Sequence, residues 1–284
     1  MLMEAFSKIN LILDVTGKRP DGYHNIRSIM QTISLSDTLT ISAEECSQAP
    51  TFVLTCDEPT LPTDDRNLVT RAAKYMMEEY NIGYSIRIHL EKRIPQAAGL
   101  AGGSSNCAAT LSGINKLFAL NISARKLRSI GQTFGADVPF CLLGGTALAE
   151  GIGERLTSLP PHPHAWVVLA CPDIRVSTKD IFRNYNPALS APGNVKAMID
   201  SIKKGDLQGI ADNFSNDLTQ VTVKIHPQIN DLIYEMKAKG AINAAMSGSG
   251  PTVFGYFPNQ ALALKAHEDL KQHARTFLAE VKQK

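Results

Sequence analysis

From residue 5 to residue 13 apolar and polar positions alternate, with Ile9, Leu11 and Leu13 on one side and Lys8, Asn10 and Ile12 on the other. A period of two predicts a half-buried strand whose polar side presents Lys8 and Asn10 together. A polar loop with Pro20-Asp21-Gly22 follows, then strand-like stretches at 26–35, 38–42 and 51–56 separated by turn residues. After Asp65 the period lengthens. Leu68, Ala72, Tyr75, Met76 and Tyr80 predict a helix over 66–80, stopped by Gly83. Ile86, Ile88 and Leu90 alternate as another strand. A small-residue loop runs from Pro95 to Ser105, and Ala108, Leu111, Ile114 and Phe118 then restore helical spacing.

The second half reads as a strand at 146–151, a strand at 166–170, helices at 195–202 and 227–239, a strand at 252–257, a helix near 260–273 and a strand near 276–281. Pro160, Pro161 and Pro163 mark a change of regime at 158–164, which divides the chain into domains 1–158 and 159–284. Mixed strands and helices with antiparallel hairpins predict an α+β architecture. No fixed-period repeat or low-complexity tract interrupts it.

Composition narrows the function classes. Of 284 residues, 44% are apolar and 20% charged, the mix of a folded globular chain. A net charge of +2 gives no global reason to bind nucleic acid or an anionic membrane, so an anionic ligand must be held by local groups. No apolar run approaches the roughly 18 residues of a spanning helix, and Glu4, Lys8 and Asn10 break the first segment, so a cytoplasmic protein is expected. Five scattered cysteines without a Cys-x-x-Cys pair read as reduced thiols, and the histidines show no zinc-ligand spacing.

The most informative stretch is strand, glycine-rich loop and helix N-terminus in succession, since free backbone N–H groups and the helix dipole there can hold a phosphate. It lacks both Gly-x-x-x-x-Gly-Lys-Ser/Thr and Gly-x-Gly-x-x-Gly, which disfavours the ordinary nucleotide folds. Read structurally it is a flexible turn; Pro95 at its start and two serines at its end favour an anion site. A second run, Ser247-Gly248-Ser249-Gly250-Pro251, is a tight β-turn on its own, but two such loops on either side of a domain boundary suggest one cleft. Asp137, in Gly135-Ala136-Asp137-Val138-Pro139, is either a helix N-cap or a base that receives a hydroxyl proton near a lysine. Lys8 is the natural partner; otherwise it is a solvated strand lysine.

Together, Lys8-Ile9-Asn10-Leu11, the Pro95–Ser105 loop, Gly135-Ala136-Asp137-Val138-Pro139 and the Ser247–Pro251 turn resemble the GHMP small-molecule kinases, in order and over essentially the whole chain. Arg19-Pro20-Asp21-Gly22-Tyr23-His24, supported by Glu150-Gly151-Ile152-Gly153-Glu154, is similar to the branch acting on a cytidine diphosphate conjugate of methylerythritol rather than on homoserine or mevalonate. The resemblance implies a ribosomal-protein-S5-like N-terminal domain, a ferredoxin-like C-terminal domain and an active site in the cleft between them. It implies ATP and Mg2+, transfer to the 2-hydroxyl of the methylerythritol moiety in the non-mevalonate route to isoprenoids, and a monomer or weak homodimer.

By that likeness Asp137 is the base and Lys8 holds the reacting groups. Pro95, Gln96, Ala97, Ala98, Gly99, Leu100, Ala101, Gly102, Gly103, Ser104 and Ser105 cradle the ATP phosphates, with Asn67 and Lys92 near the nucleotide and Ser105 the expected metal ligand. Tyr23 and Phe182 sandwich the cytosine, His24 bonds its edge, and Asn10, Ser247 and Gly248 contact the substrate. Three positions depart from the family pattern: Ala101 stands where the stricter form has glycine, and Asn106 and Cys107 where an aspartate and an alanine often occur. Gly99, Gly102 and Gly103 remain for the sharpest bends, so Ala101 is expected at negative φ. Another GHMP kinase would keep Lys8, Asp137 and both loops without the Tyr23 and Phe182 clamp; a non-catalytic nucleotide-binding regulator on the same fold is the alternative from another class.

Overall fold

Two long strands begin the chain, β1 (Leu2–Lys18) and β2 (His24–Glu45), in a computed structural model that describes residues 1–283. The stretches expected at 26–35 and 38–42 are one strand: Ser36 and Asp37 do not make a turn, because the Asp37 carboxylate is buried and bonded within the fold. Nor is β1 half-buried. Residues 7–15 are buried without alternation, and β1 lies inside its sheet in the order β3-β4-β2-β1-β8, with β3 Phe52–Cys56, β4 Tyr84–Glu91 and β8 Ser215–Asn216.

The chain packs as two compact units that interleave along the sequence: residues 1–7, 36–96 and 101–143 form one, and 8–35, 97–100 and 144–284 the other. This division by packing differs from a single cut at 158–164, because β1 and β2 each supply residues to both units.

In the first unit the C-terminal half of β2 pairs antiparallel with β4, which carries β3 parallel on its other side. Helix α1 (Leu68–Glu79) forms where the spacing predicts, with Ala72 and Met76 of the predicted set fully buried and Leu68, Tyr75 and Tyr80 partly so, and it ends at Tyr80 ahead of left-handed Asn81 rather than at Gly83. Its stripe of Val69, Ala72, Ala73 and Met76 is buried in a core shared with Ile86, Ile88, Leu90, Leu111 and Ile114. Asn67 caps it by accepting from Val69 N at 2.9 Å. Helix α2 (Gly102–Leu117) packs on α1 and starts at the glycines themselves, before the Ala108 at which the apolar spacing begins. Helices α3 (Ala124–Gln132) and α4 (Val138–Leu143) complete the unit.

In the second unit the N-terminal half of β2 pairs with β5 (Thr146–Gly151), which forms a hairpin with β6 (Arg155–Ser158), and β1 takes β8 in parallel at Ile12 and Leu13. A separate antiparallel sheet has the order β11-β7-β10-β9, with β7 Trp166–Cys171, β9 Asn243–Met246, β10 Val253–Phe257 and β11 Arg275–Glu280. Helices α5 (Thr178–Arg183), α6 (Val195–Lys204), α7 (Leu207–Asp212), α8 (Thr219–Ile225) and α9 (Gln228–Ala238) lie between β7 and β9; α10 (Gln260–Leu270) lies between β10 and β11. This is the strand–helix–strand–strand–helix–strand path of a ferredoxin-like unit. Its core gathers Val168, Ala170, Met236, Met246, Val253 and Phe257. All five cysteines are free thiols, and among the described residues no helix is long and apolar enough to cross a membrane.

Candidate active site

The glycine-rich loop bends where alanines stand. Ala97, Gly99 and Ala101 have φ of 50°, 75° and 57°, while the residues between them do not. Three residues of left-handed φ within five give the loop sharp backbone turns, and a concave run of backbone N–H groups at such turns is the arrangement that binds anions. The expectation of negative φ at Ala101 is therefore corrected. Gly102 and Gly103 are already helical, so the last bend before α2 falls on the residue ahead of them. Gly102 is closely packed instead: a Cβ there would sit 3.0 Å from Ile94 Cγ2 and 3.2 Å from Lys92 Nζ, so those side chains would have to shift.

Ala101 is the N-cap of α2 and offers no side-chain acceptor, so no side chain caps the amides of the first turn. Over Gly103 a Cβ would meet nothing nearer than Leu68 Cδ1 at 3.9 Å. Uncapped amides, a helix start and open space above a glycine fit a phosphate group.

A second cluster forms around β1. Lys8 Nζ donates to Asn10 Oδ1 at 2.7 Å, so the two side chains project together as the alternation predicts, although Lys8 is 4% exposed and not a solvated strand lysine. Asn10 Nδ2 donates to Ser28 Oγ at 2.8 Å, whose hydroxyl donates to Ile12 O at 2.6 Å. Lys8 N donates to Leu100 O at 3.2 Å, and Ser247 Oγ donates to Gly99 O at 2.9 Å while accepting from Asn10 N at 3.3 Å. The two glycine-rich loops thus touch. A Cβ on Gly99 would collide with Ser247 O, and one on Gly248 would lie 3.3 Å from Gly99 O. Asn216 Nδ2 holds the turn by donating to Met246 O and Gly248 O, both at 2.8 Å.

Asp37 is a residue the linear reading missed, because a Ser-Asp pair between two apolar stretches looks like a turn. Its Oδ1 accepts from Arg93 N at 2.7 Å and Ile94 N at 2.8 Å; its Oδ2 accepts from Lys92 Nζ at 2.7 Å and Asn106 Nδ2 at 2.9 Å. Lys92 Nζ also donates to Ile94 O. Asn106, where an aspartate often stands, can serve Asp37 as a donor, which a second carboxylate could not. The network fixes the chain just before Pro95 and one turn into α2.

Other expected residues are placed as follows. Asn67 is committed to its cap and to Pro62 O at 2.8 Å. Ser105 is 3% exposed and donates its hydroxyl hydrogen to Phe6 O at 2.6 Å, which leaves the oxygen lone pairs as acceptors. Asp137 is half-buried just ahead of α4, its carbonyl accepting from Cys141 N at 3.0 Å. Its neighbour Gly135 faces the start of α2, where a Cβ would lie 3.8 Å from Ser104 Oγ. Tyr23 is 63% exposed in the β1–β2 turn, and His24 stacks on half-buried Phe182 with ring centroids 5.3 Å apart and planes at 27°. Burial, and secondarily the charge of Lys18, lowers the His24 pKa, which favours a neutral imidazole able to donate and accept at once.

Comparison with known proteins places the fold. The sequence model of the GHMP kinases N terminal domain matches residues 67–145, and that of the GHMP kinases C terminal matches 198–276, on either side of the proline-rich 158–164 segment. A 4-diphosphocytidyl-2-C-methyl-D-erythritol kinase of Lachnoclostridium phytofermentans is 46% identical over 270 residues, 95% of this chain and 92% of that one. The chain belongs to the GHMP kinase family. A second GHMP kinase, the 4-diphosphocytidyl-2-C-methyl-D-erythritol kinase of Caldicellulosiruptor bescii, is 44% identical over 95% of this chain and 94% of its own length. A solved 4-(cytidine 5'-diphospho)-2C-methyl-D-erythritol kinase superposes over the full length of both chains with a TM-score of 0.87 and 32% identity. A homoserine kinase from Cytophaga hutchinsonii has a TM-score of 0.75 at 19% identity, over 99% of this chain and 95% of that one, and shares the fold.

Proposed function

We propose that this GHMP kinase transfers the terminal phosphoryl group of ATP to the 2-hydroxyl of 4-diphosphocytidyl-2-C-methyl-D-erythritol, a step of the non-mevalonate route to isoprenoids. Near full-length similarity to kinases of that name is the observation that carries the reading. The chain's own residues supply a consistent chemistry.

Phosphoryl transfer asks for positioning and charge stabilisation more than for covalent participation. The sharply turned backbone of 97–101 and the first-turn amides of α2 hold phosphate oxygens. The Lys8 ammonium, aimed by Asn10, steadies the acceptor and offsets negative charge in the transition state. Asp137 receives the hydroxyl proton. Tyr23 and Phe182 offer flat faces to the cytosine, and neutral His24 reads its edge. When bound with ATP, Mg2+ neutralises charge on the β- and γ-phosphates. Mg2+ commonly takes most of its ligands from phosphate and water, and we assign it no protein ligand.

A coupled ADP-release assay run in parallel on the cytidine conjugate, homoserine and mevalonate tests the reading. Turnover confined to the conjugate is expected. Preference for homoserine or mevalonate refutes the substrate assignment, and no turnover on any of the three favours the non-catalytic alternative.

A further inference from the structure

Helix α5 carries Phe182 yet has little to hold it in place. It is six residues long, too short to be stable alone, and buries only Ile181. Phe182 and, after the helix, Tyr185 pack against the same core only in part, and beyond them the single 3-10 turn Pro187–Leu189 buries nothing, with Leu189 51% exposed. Polar clamps supply the rest of the holding.

The Asp217 carboxylate, 5% exposed just past β8, is fixed to β1 by accepting from Val15 N at 2.9 Å, while its own N–H donates to Leu13 O at 2.9 Å. From the segment after α5 it accepts Tyr185 OH at 3.2 Å, Ser190 Oγ at 2.9 Å and Ala191 N at 3.2 Å. Asp14 adds a second point by accepting from Gly193 N at 2.7 Å with one oxygen and from Arg27 Nη2 at 2.9 Å with the other. Gly193 lies so close to Ser215 Oγ and Ile12 that no side chain would fit. At its other end α5 is tied to the glycine-rich turn by the hydrogen bond of Thr178 Oγ1 with Ser249 Oγ at 2.8 Å.

We propose that Asp217 is a positioning residue for substrate selectivity: by gathering Tyr185, Ser190 and Ala191 onto β1 it sets the pose of α5 and keeps Phe182 on His24. The proposal rests on the reading that these two rings face the cytidine group. A carboxylate suits the task because every partner is a donor and bonds to a charged acceptor are the stronger kind. Asparagine there would turn an NH2 group against one of those donors.

The test compares wild type, Asp217→Asn, and a Tyr185→Phe/Ser190→Ala double variant that removes two donors without touching β1. The KM for the cytidine conjugate should rise about tenfold in Asp217→Asn, and less in the double variant, with the KM for ATP within about twofold. Tryptic cleavage after Arg183 should quicken in the same order. A loss confined to melting temperature, parallel rises in both KM values, or unchanged cleavage would overturn the proposal. If Asp217→Asn fails to fold, the double variant decides alone. A wild-type enzyme inactive on the conjugate refutes the substrate reading and this proposal together; an active wild type with unshifted variants refutes the proposal alone.

Discussion

Lys92 Nζ lies 2.7 Å from Asp37 Oδ2, with side-chain exposures of 7% and 0%. Removing one partner of such a pair strands the other charge, at a cost of about 3–5 kcal/mol. The two sides are not equal. Lys92→Met leaves the carboxylate with the Arg93, Ile94 and Asn106 donors, whereas Asp37→Ala strands an ammonium and all three. Urea unfolding should therefore rank Asp37→Ala as clearly less stable than Lys92→Met. Equal losses would mean that the charge pair alone matters.

Ala101→Gly should stabilise the protein. An alanine at φ 57° carries roughly 1–2 kcal/mol of left-handed strain, and glycine relieves it at an unfolded-state entropy cost of about 0.4–1 kcal/mol. A net gain between about 0 and 1.6 kcal/mol follows from those two terms. Ala101→Val should lose stability, since a β-branched residue is a genuine outlier at that φ. Chemical denaturation of the two variants checks the sign of each.

Asp137→Asn should leave folding and ATP affinity near wild type while turnover drops by about 100-fold or more. Lys8→Met should also depress turnover by about 100-fold, as loss of a positioned charge does. Lys8 is buried and bonded to Asn10, so its loss should also lower the melting temperature. Single-turnover kinetics with ATP titration and calorimetry separate the two, and wild-type turnover in either variant removes that residue from the mechanism.

His162 makes stability pH-dependent. Its ring is buried, with Nδ1 2.6 Å from Pro163 O and Nε2 3.2 Å from Tyr256 OH. A carbonyl only accepts, so Nδ1 carries the proton and Nε2 accepts from the tyrosine. Burial pushes the pKa down from 6.5 to about 4, against a smaller opposing effect of the Pro163 carbonyl. Between those values the unfolded chain binds a proton that the folded chain refuses. The contribution is complete above about pH 6.5 and falls away toward pH 4, by roughly 3 kcal/mol in all. His162→Asn should flatten that slope in unfolding measured from pH 7 to 4.

Much of the architecture was legible along the chain. The spacing of α1 and β4, and the placing of β5 and α9, follow from residues within each element. The side-by-side projection of Lys8 and Asn10 follows in the same way. Short helices such as α5 and α8 were not legible, because six or seven residues show too few turns for a stripe and are held by partners elsewhere in the chain.

By itself the sequence determined the local periods, the order of elements and the residue types available at the two glycine-rich loops, because side-chain spacing and backbone bonding within an element depend on near neighbours. Only the tertiary structure decided that β1 is buried without alternation and that Asp37 belongs inside a strand. The same holds for the bend that falls on Ala101 and for the approach of Gly99 to Ser247 and of Asp217 to Tyr185 and Ser190. Each of these places a polar group or a strained backbone where only distant partners offset its cost, and those partners lie outside any window a linear pattern can span.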